Sequence, residues 1–235
     1  MTACVRRALG TVLLMWLASM GLAGCIDGGD SSRDRQNAPL YRSLSAGGDR
    51  VMVHREDGDK RHLSMKLRMS SDRASVYGSE LTRAGEVAWS RDDAPEVRIR
   101  AVDDARWRSL PIEHGIWEWP GHVRVEQTGR GWAVFGSDAR WLGRFYRTEG
   151  GDWRLDIDGR DLMVRESGRQ WTVGGVSDGE APLTPPRWSV AFGEIPHPVA
   201  LAVAFDELSA MERVAVGVAV GVQQQDRDKR RSDGG

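Results

Sequence analysis

Between residues 50 and 166 apolar and polar residues alternate in short runs. RVMVH (50–54), HLSMKLRM (62–69), PEVRIRAV (95–102), HVRVEQ (122–127), DWRLDID (152–158) and RDLMVRE (160–166) carry this period of two, the pattern of strands with one face buried. Between and beside them stand Asp57-Gly58, Gly129-Arg130-Gly131, Gly150-Gly151 and Asp158-Gly159, which place glycine where a tight hairpin needs a positive φ. Turns this short make neighbouring strands antiparallel, and about a dozen strands are expected.

Two segments break the alternation. The first is the amino terminus, where Arg6 and Arg7 precede the apolar run LGTVLLMWLASMGLAG, the architecture of a secretory leader. Its end, Leu22-Ala23-Gly24-Cys25, resembles the lipobox of bacterial lipoproteins: small residues before the cut and a thiol just after it, ready for acylation. The resemblance implies a signal peptide over 1–24, lipidation at Cys25 and membrane attachment through that acyl anchor. The polar stretch 25–39 reads as a flexible linker. In the Gram-negative lipoproteins that this leader resembles, an aspartate after the cysteine is the usual inner-membrane retention signal. Ile26 stands there, so the resemblance implies the outer membrane, facing the periplasm, in a Gram-negative cell. The chain contains two cysteines, Cys4 and Cys25. One leaves with the leader and the other is acylated, so no disulfide is expected even in an oxidising envelope. The remaining 211 residues are long enough to bury roughly 70% of their unfolded surface.

The second exception is HPVALAVAFDELSAMERVAVGVAVGV (197–222), with Asp206, Glu207, Glu212 and Arg213 in its middle. Each acid or arginine at a bilayer centre costs about 2.5–3.5 kcal/mol on insertion scales, so this is expected to be core and not a span. VALAVAF (199–205) is apolar on every side, the mark of a helix buried all round. Ser209-Ala210-Met211-Glu212 fits a capping box that starts a second helix at Ala210, whose Val- and Gly-rich body could be helix or strand. The domain is expected over 40–222, with a disordered polar tail over 223–235.

The chain also repeats itself. VYGSELTRAGEVAWS (76–90) aligns without gaps on VFGSDARWLGRFYRT (134–148), offset by 58 residues, which points to duplication of a multi-strand unit. These short strands, the elements IDGRDLMV and WLGRFYR, and the apolar ALAVAFDEL near the end together resemble the tubby-like and phospholipid-scramblase-like superfamily. The likeness implies a closed antiparallel barrel of about twelve strands wrapped around a central apolar helix, and lipid as a candidate ligand. A lipocalin-like barrel is the alternative, since Gly115-Ile116-Trp117 and Gly151-Asp152-Trp153 match the G-x-W spacing of that family, though not at its first strand.

Charge and motifs narrow the function little. The net charge is −1, opposite signs are interspersed, and no basic block suits a phosphate backbone, so nucleic acid is not an expected partner. His54, His62, His114 and His122 read as strand and turn histidines, and no metal or cofactor is expected. DIDGRD (156–161) fails as a calcium loop because Arg154 and Arg165 would occupy ligand positions one and twelve. Ser79 and Ser137 in the repeated Gly-Ser element read as one turn made twice, and no catalytic residue is nominated. Trp117 and Trp119 in GIWEWPGH fall on one face of a strand. Exposed, they would stack on glycan or enter a lipid interface, and they are the candidate binding residues on that account; buried, the favoured reading, they would fill one end of the barrel. The expectation is a membrane-tethered envelope module, binding or scaffolding without catalysis, with lipid or envelope glycan as ligand and an unassigned protein partner. The alternatives are an envelope hydrolase acting on glycan or lipid and a structural assembly factor.

Overall fold

The computed structural model describes residues 49–57, 60–90, 95–167, 170–176, 188–191 and 197–233. The expected leader, Cys25 and the linker lie outside the described residues. Six strands come first: β1 (Asp49–Asp57), β2 (Lys60–Met69), β3 (Arg73–Tyr77), β4 (Arg83–Trp89), β5 (Glu96–Ala101) and β6 (Arg108–Pro111). Seven more follow: β7 (Ile116–Trp119), β8 (Val123–Thr128), β9 (Gly131–Gly136), β10 (Trp141–Arg147), β11 (Trp153–Ile157), β12 (Arg160–Ser167) and β13 (Gln170–Gly175). Each set is an antiparallel meander in which every strand pairs with the next. The short β14 (Trp188–Ala191) pairs with both β13 and β1 and joins the two.

The expected closed barrel of about twelve strands is therefore corrected: among the described residues fourteen strands stand in one order that does not close, and β6 and β7 are its two edges. Eight lipocalin strands do not fit this order either. The reason the seam stays open is chemical. Glu113 and Ile116 form a single bridge across a two-residue turn in which His114 and Gly115 both have positive φ. In such a hairpin the next hydrogen-bonded rungs fall at Pro111 opposite Glu118 and Ser109 opposite Pro120. Neither proline has an N–H to give. Ile112 donates instead to Pro95 O at 3.0 Å, and Gln127 N donates to Gly115 O at 2.7 Å, so each edge is held by its own sheet.

The duplication reaches down to the hydrogen-bond register. Val76 faces Gly85 and Tyr77 faces Arg83 across a bulge. Fifty-eight residues on, Val134 faces Gly143 and Phe135 faces Trp141 across another. Leu81 (φ 61°) and Ala139 (φ 59°) take the same left-handed conformation in the two turns. Gly78 N to Thr82 O and Gly136 N to Arg140 O close them at 2.9 Å each.

The apolar face of both meanders wraps two helices, α1 (His197–Ala202) and α2 (Ala210–Asp233). Here α1 packs on β11 and β12, and α2 on β3, β4, β5 and β8. Val214, Ala215, Val216, Val218, Ala219, Val220 and Val222 of α2 are each at most 2% exposed. From Val214 to Val222 the helix is thus buried on all sides, as an all-round apolar sequence requires. Its N-terminus carries the capping box: Ser209 N donates to Glu212 Oε2 at 2.7 Å and Glu212 N to Ser209 Oγ at 3.3 Å. No helix among the described residues is long and apolar enough to cross a membrane. The four ionisable residues within 197–222 gather at the α1–α2 turn. Asp206 meets Arg55 at 3.5 Å, Glu207 pairs with Arg140, Glu212 caps, and Arg213 binds turn carbonyls. The polar segment expected as a disordered tail continues α2 to Asp233. Its Gln224–Asp228 and Asp226–Arg230 contacts, 2.6 and 2.8 Å, are the i,i+4 pairs that extend a helix already nucleated in the core.

Candidate functional site

The strands of the first meander put Val51, Met65, Leu67, Ala74, Val76, Val87, Val97 and Ile99 into the core, so the alternate residues point outward. In register, these form rows across the sheet. Arg50, Arg68, Ser75, Glu86 and Arg100 stand opposite one another in one row. Arg73, Ala88, Arg98 and Ser109 make a second, and Lys66, Tyr77 and Arg83 a third. Six arginines and a lysine thus share one face with Glu86 near its middle and Glu96 at its margin. The β-bulge at Val76/Tyr77 matters here: it lets Arg83, three residues from Glu86, lie on the same face, where a regular strand would put it opposite.

Glu86 is 5% exposed. Arg83 reaches its Oε1 at 2.8 Å, Arg73 approaches to 4.0 Å, and Arg100 forms a close hydrogen-bonded pair with Oε2. Burial pushes the Glu86 carboxyl up, but the Arg100 hydrogen bond and the charges of Arg83, Arg100 and Arg73 outweigh it and hold the group below its ordinary value of 4.5. The Arg100 guanidinium also lies 4.9 Å over the Trp107 ring, and Lys66 Nζ 5.3 Å over Tyr77. One carboxylate thus organises several cations, and the face remains positive.

A depressed carboxyl stabilises the fold above its unfolded pKa, and that contribution is lost as pH falls through the folded one. Glu86→Gln is therefore expected to lower stability at pH 7 by about 1–2 kcal/mol, allowing for solvent around the half-exposed arginines. It should also flatten the loss of stability below about pH 4.5, the ordinary carboxyl value. Urea denaturation at pH 7 and in the acid range checks both. An unchanged acid limb would show that the arginines do not depend on Glu86.

The equivalent face of the second meander has diverged. Glu86 opposite Arg100 is replaced by Arg144 opposite Asp156 at 3.6 Å, an ion pair of reversed polarity. Arg124 pairs with Glu126 at 2.8 Å, and Tyr146 donates to Asp161 at 2.6 Å. Burial and that carboxylate push the Tyr146 hydroxyl up to about 12. This face is close to neutral, so the basic character belongs to the first meander alone.

Trp117 and Trp119, the aromatic pair nominated from sequence, are 0% and 6% exposed and belong to the core. Among the described residues Trp141, at the bulge equivalent to Arg83, is the exposed indole, at 42%. Trp119 stacks on His122 at 4.1 Å, and His122 Nδ1 lies 3.0 Å from Glu212 Oε1. Ser137 lines the same cleft, of about 230 Å³. Ser79 and Ser137 occupy matching turns, as the repeat requires. Among the described residues no three His, Cys, Asp or Glu side chains converge on a metal position. The basic face escaped the sequence reading because its members are scattered over β1 to β5. The signal was present as Lys66-x-Arg68 and Arg98-x-Arg100, basic residues at the outward positions of strands. No family model, curated protein or solved structure matches the chain.

Proposed function

We propose that the chain is a lipid-anchored envelope module that binds without catalysis, laying the basic outer face of its first meander on an anionic membrane surface. The observation that carries this reading is the gathering of Arg50, Lys66, Arg68, Arg73, Arg83, Arg98 and Arg100 on one side of the sheet. Near an anionic bilayer each such residue contributes about 1 kcal/mol, within a Debye length of the surface. Acylation at Cys25 supplies the tether, and the 24 positions from there to Asp49 reach at most about 85 Å when extended. The core is occupied by α2, which directs ligand contact to the outside, as does the tubby-like resemblance in which a helix fills the barrel.

A rival reading, an envelope hydrolase, has one arrangement in its favour: Ser137 lines the cleft beside His122, with Glu212 on the imidazole. Yet Glu212 Oε2 is already engaged with Ser209 N and its other oxygen holds His122, contacts that lock the start of α2 to the β7–β8 hairpin. The test is vesicle flotation of a chain beginning at Ile26, which keeps the described fold without the acylation site. It is expected to float with vesicles containing phosphatidylglycerol, and not with pure phosphatidylcholine. Arg68→Glu/Arg98→Glu should weaken that binding about tenfold or more, since reversing two charges removes at least two such contributions. Equal flotation on neutral vesicles, or an unaffected double variant, would remove the basic face from the account. No flotation at all would shift the reading to a protein-assembly role.

A further inference from the structure

Where α2 leaves the sheet, its polar turns bound a second and separate feature. Gln224, Arg227, Asp228 and Arg231 follow the spacing i, i+3, i+4, i+7 and so share one helix face. That face lies against the β8–β9 turn (Gly129, Arg130, Gly131) and the end of β10 with its following turn (Arg147, Thr148, Gly151), lining a half-open cleft of about 310 Å³. Four arginines from three separate elements meet there, with Asp228 as the one acid.

The walls are built, not incidental. Arg147 Nε donates to Gly151 O at 3.0 Å, and its guanidinium lies 5.9 Å over the Trp153 ring. Thr148 closes its turn by accepting from Asp152 N at 3.1 Å. Gly131 has φ +135°, and a Cβ there would fall 2.0 Å from Phe145 O, so glycine lets the turn press against β10. Asp228 is occupied by Gln224 Nε2 at 2.6 Å. On the helix side turned away, Arg230 pairs with Asp226 at 2.8 Å. Among the described residues no carboxylate pairs with Arg130, Arg227 or Arg231. Basic residues in a last helical turn do suit the helix dipole. That preference accounts for Arg231, but not for Arg130 and Arg147 arriving opposite it from a turn and a strand end.

We propose that this cleft binds a phosphorylated sugar, its phosphate held by the guanidinium groups of Arg130, Arg147, Arg227 and Arg231. Planar guanidinium forks match phosphate oxygens bidentately. The volume lies at the lower end of small-ligand sites and exceeds what a lone phosphate fills, which leaves room for the sugar beside Thr148 and Gln224. The site is remote in sequence from the basic face, and its occupancy does not depend on membrane contact.

The test is calorimetric titration of the full chain in neutral detergent with glucose 6-phosphate, inorganic phosphate and glucose. Saturable binding of glucose 6-phosphate is expected, at least about tenfold tighter than phosphate, with no binding of glucose. Arg227→Glu/Arg231→Glu should weaken it about tenfold or more, and Arg130→Glu, in a different element, should do the same. Arg165→Glu, on the β12 outer face, should leave it unchanged. Absence of saturable binding overturns the proposal, as does binding that survives both arginine variants or that phosphate matches in strength. Response only to micelles doped with phosphatidylglycerol also overturns it, while leaving the membrane reading of the first meander intact.

Discussion

Gly217→Ala is expected to destabilise the protein by about 2–3 kcal/mol, reversing the usual sign for a glycine replaced inside a helix. In an ordinary helix interior alanine is better than glycine by roughly 0.8–1 kcal/mol. At Gly217 an added Cβ would stand 2.4 Å from Val199 Cα, 2.8 Å from Val199 N and 2.9 Å from Pro198 O. All three are backbone atoms of α1, which cannot rotate away as a side chain would. The two helices must separate, and every buried valine of α2 that touches the sheet moves with them. Overpacking of this kind costs about 1–3 kcal/mol, and with three backbone contacts it falls in the upper part of that range, which for a domain of this size lowers the thermal midpoint by about 4–12 °C. Thermal unfolding followed by circular dichroism measures it. A raised midpoint would show that α1 and α2 do not approach this closely in solution.

The same contact explains what the sequence could and could not disclose. Alternation in RVMVH, HLSMKLRM or DWRLDID is written residue by residue, because a strand with one buried face needs nothing beyond its neighbours. The repeat was legible for the same reason, even to the glycines at 85 and 143, where a Cβ would fall within 2.6 Å of a carbonyl on the next strand. Ser209 and Glu212 are three residues apart, and their capping box is local too. Properties set by pairing stayed hidden. Pro111 and Pro120 are plain in the sequence, but that they fall on successive rungs of one unformed ladder follows only from the Glu113–Ile116 turn. Arg50, Lys66, Arg73 and Arg98 read as interspersed charges until four ladders bring them to one face. Trp117 and Trp119 alternate correctly for a strand, yet alternation alone does not say which face is the inner one. The tail misled for a different reason: its composition is polar, but a helix nucleated by Ala215, Val216 and their neighbours extends through it at little further cost.

Arg213→Met is expected to be the most damaging substitution of a charged residue, costing about 3–5 kcal/mol. Its Nε donates to Leu208 O at 2.7 Å, Nη1 to Ser64 Oγ at 3.2 Å and Val203 O at 3.3 Å, and Nη2 to Asp206 O at 3.1 Å. Residues 203–208 form the turn between α1 and α2, whose carbonyls have no helical partners. One guanidinium gathers three of them and ties the turn to β2 through Ser64. Burial pulls the Arg213 pKa below the ordinary arginine value, against the opposing charge of Asp206. Hydrogen bonds from a charged donor contribute about 1.5–3 kcal/mol each, and they do not add fully. Methionine keeps the apolar stem and loses every donor. Lysine is the informative comparison: it keeps the charge, but its compact ammonium cannot reach carbonyls on three sides as a planar fork does. Arg213→Lys should recover less than about half of the lost stability in urea titrations. Full recovery by lysine would mean that the charge beside Asp206 matters and the geometry does not. Arg213 stands in the middle of the apolar stretch 197–222 because the turn there needs a donor with several arms, and that need, with no call on membrane or catalysis, accounts for its place.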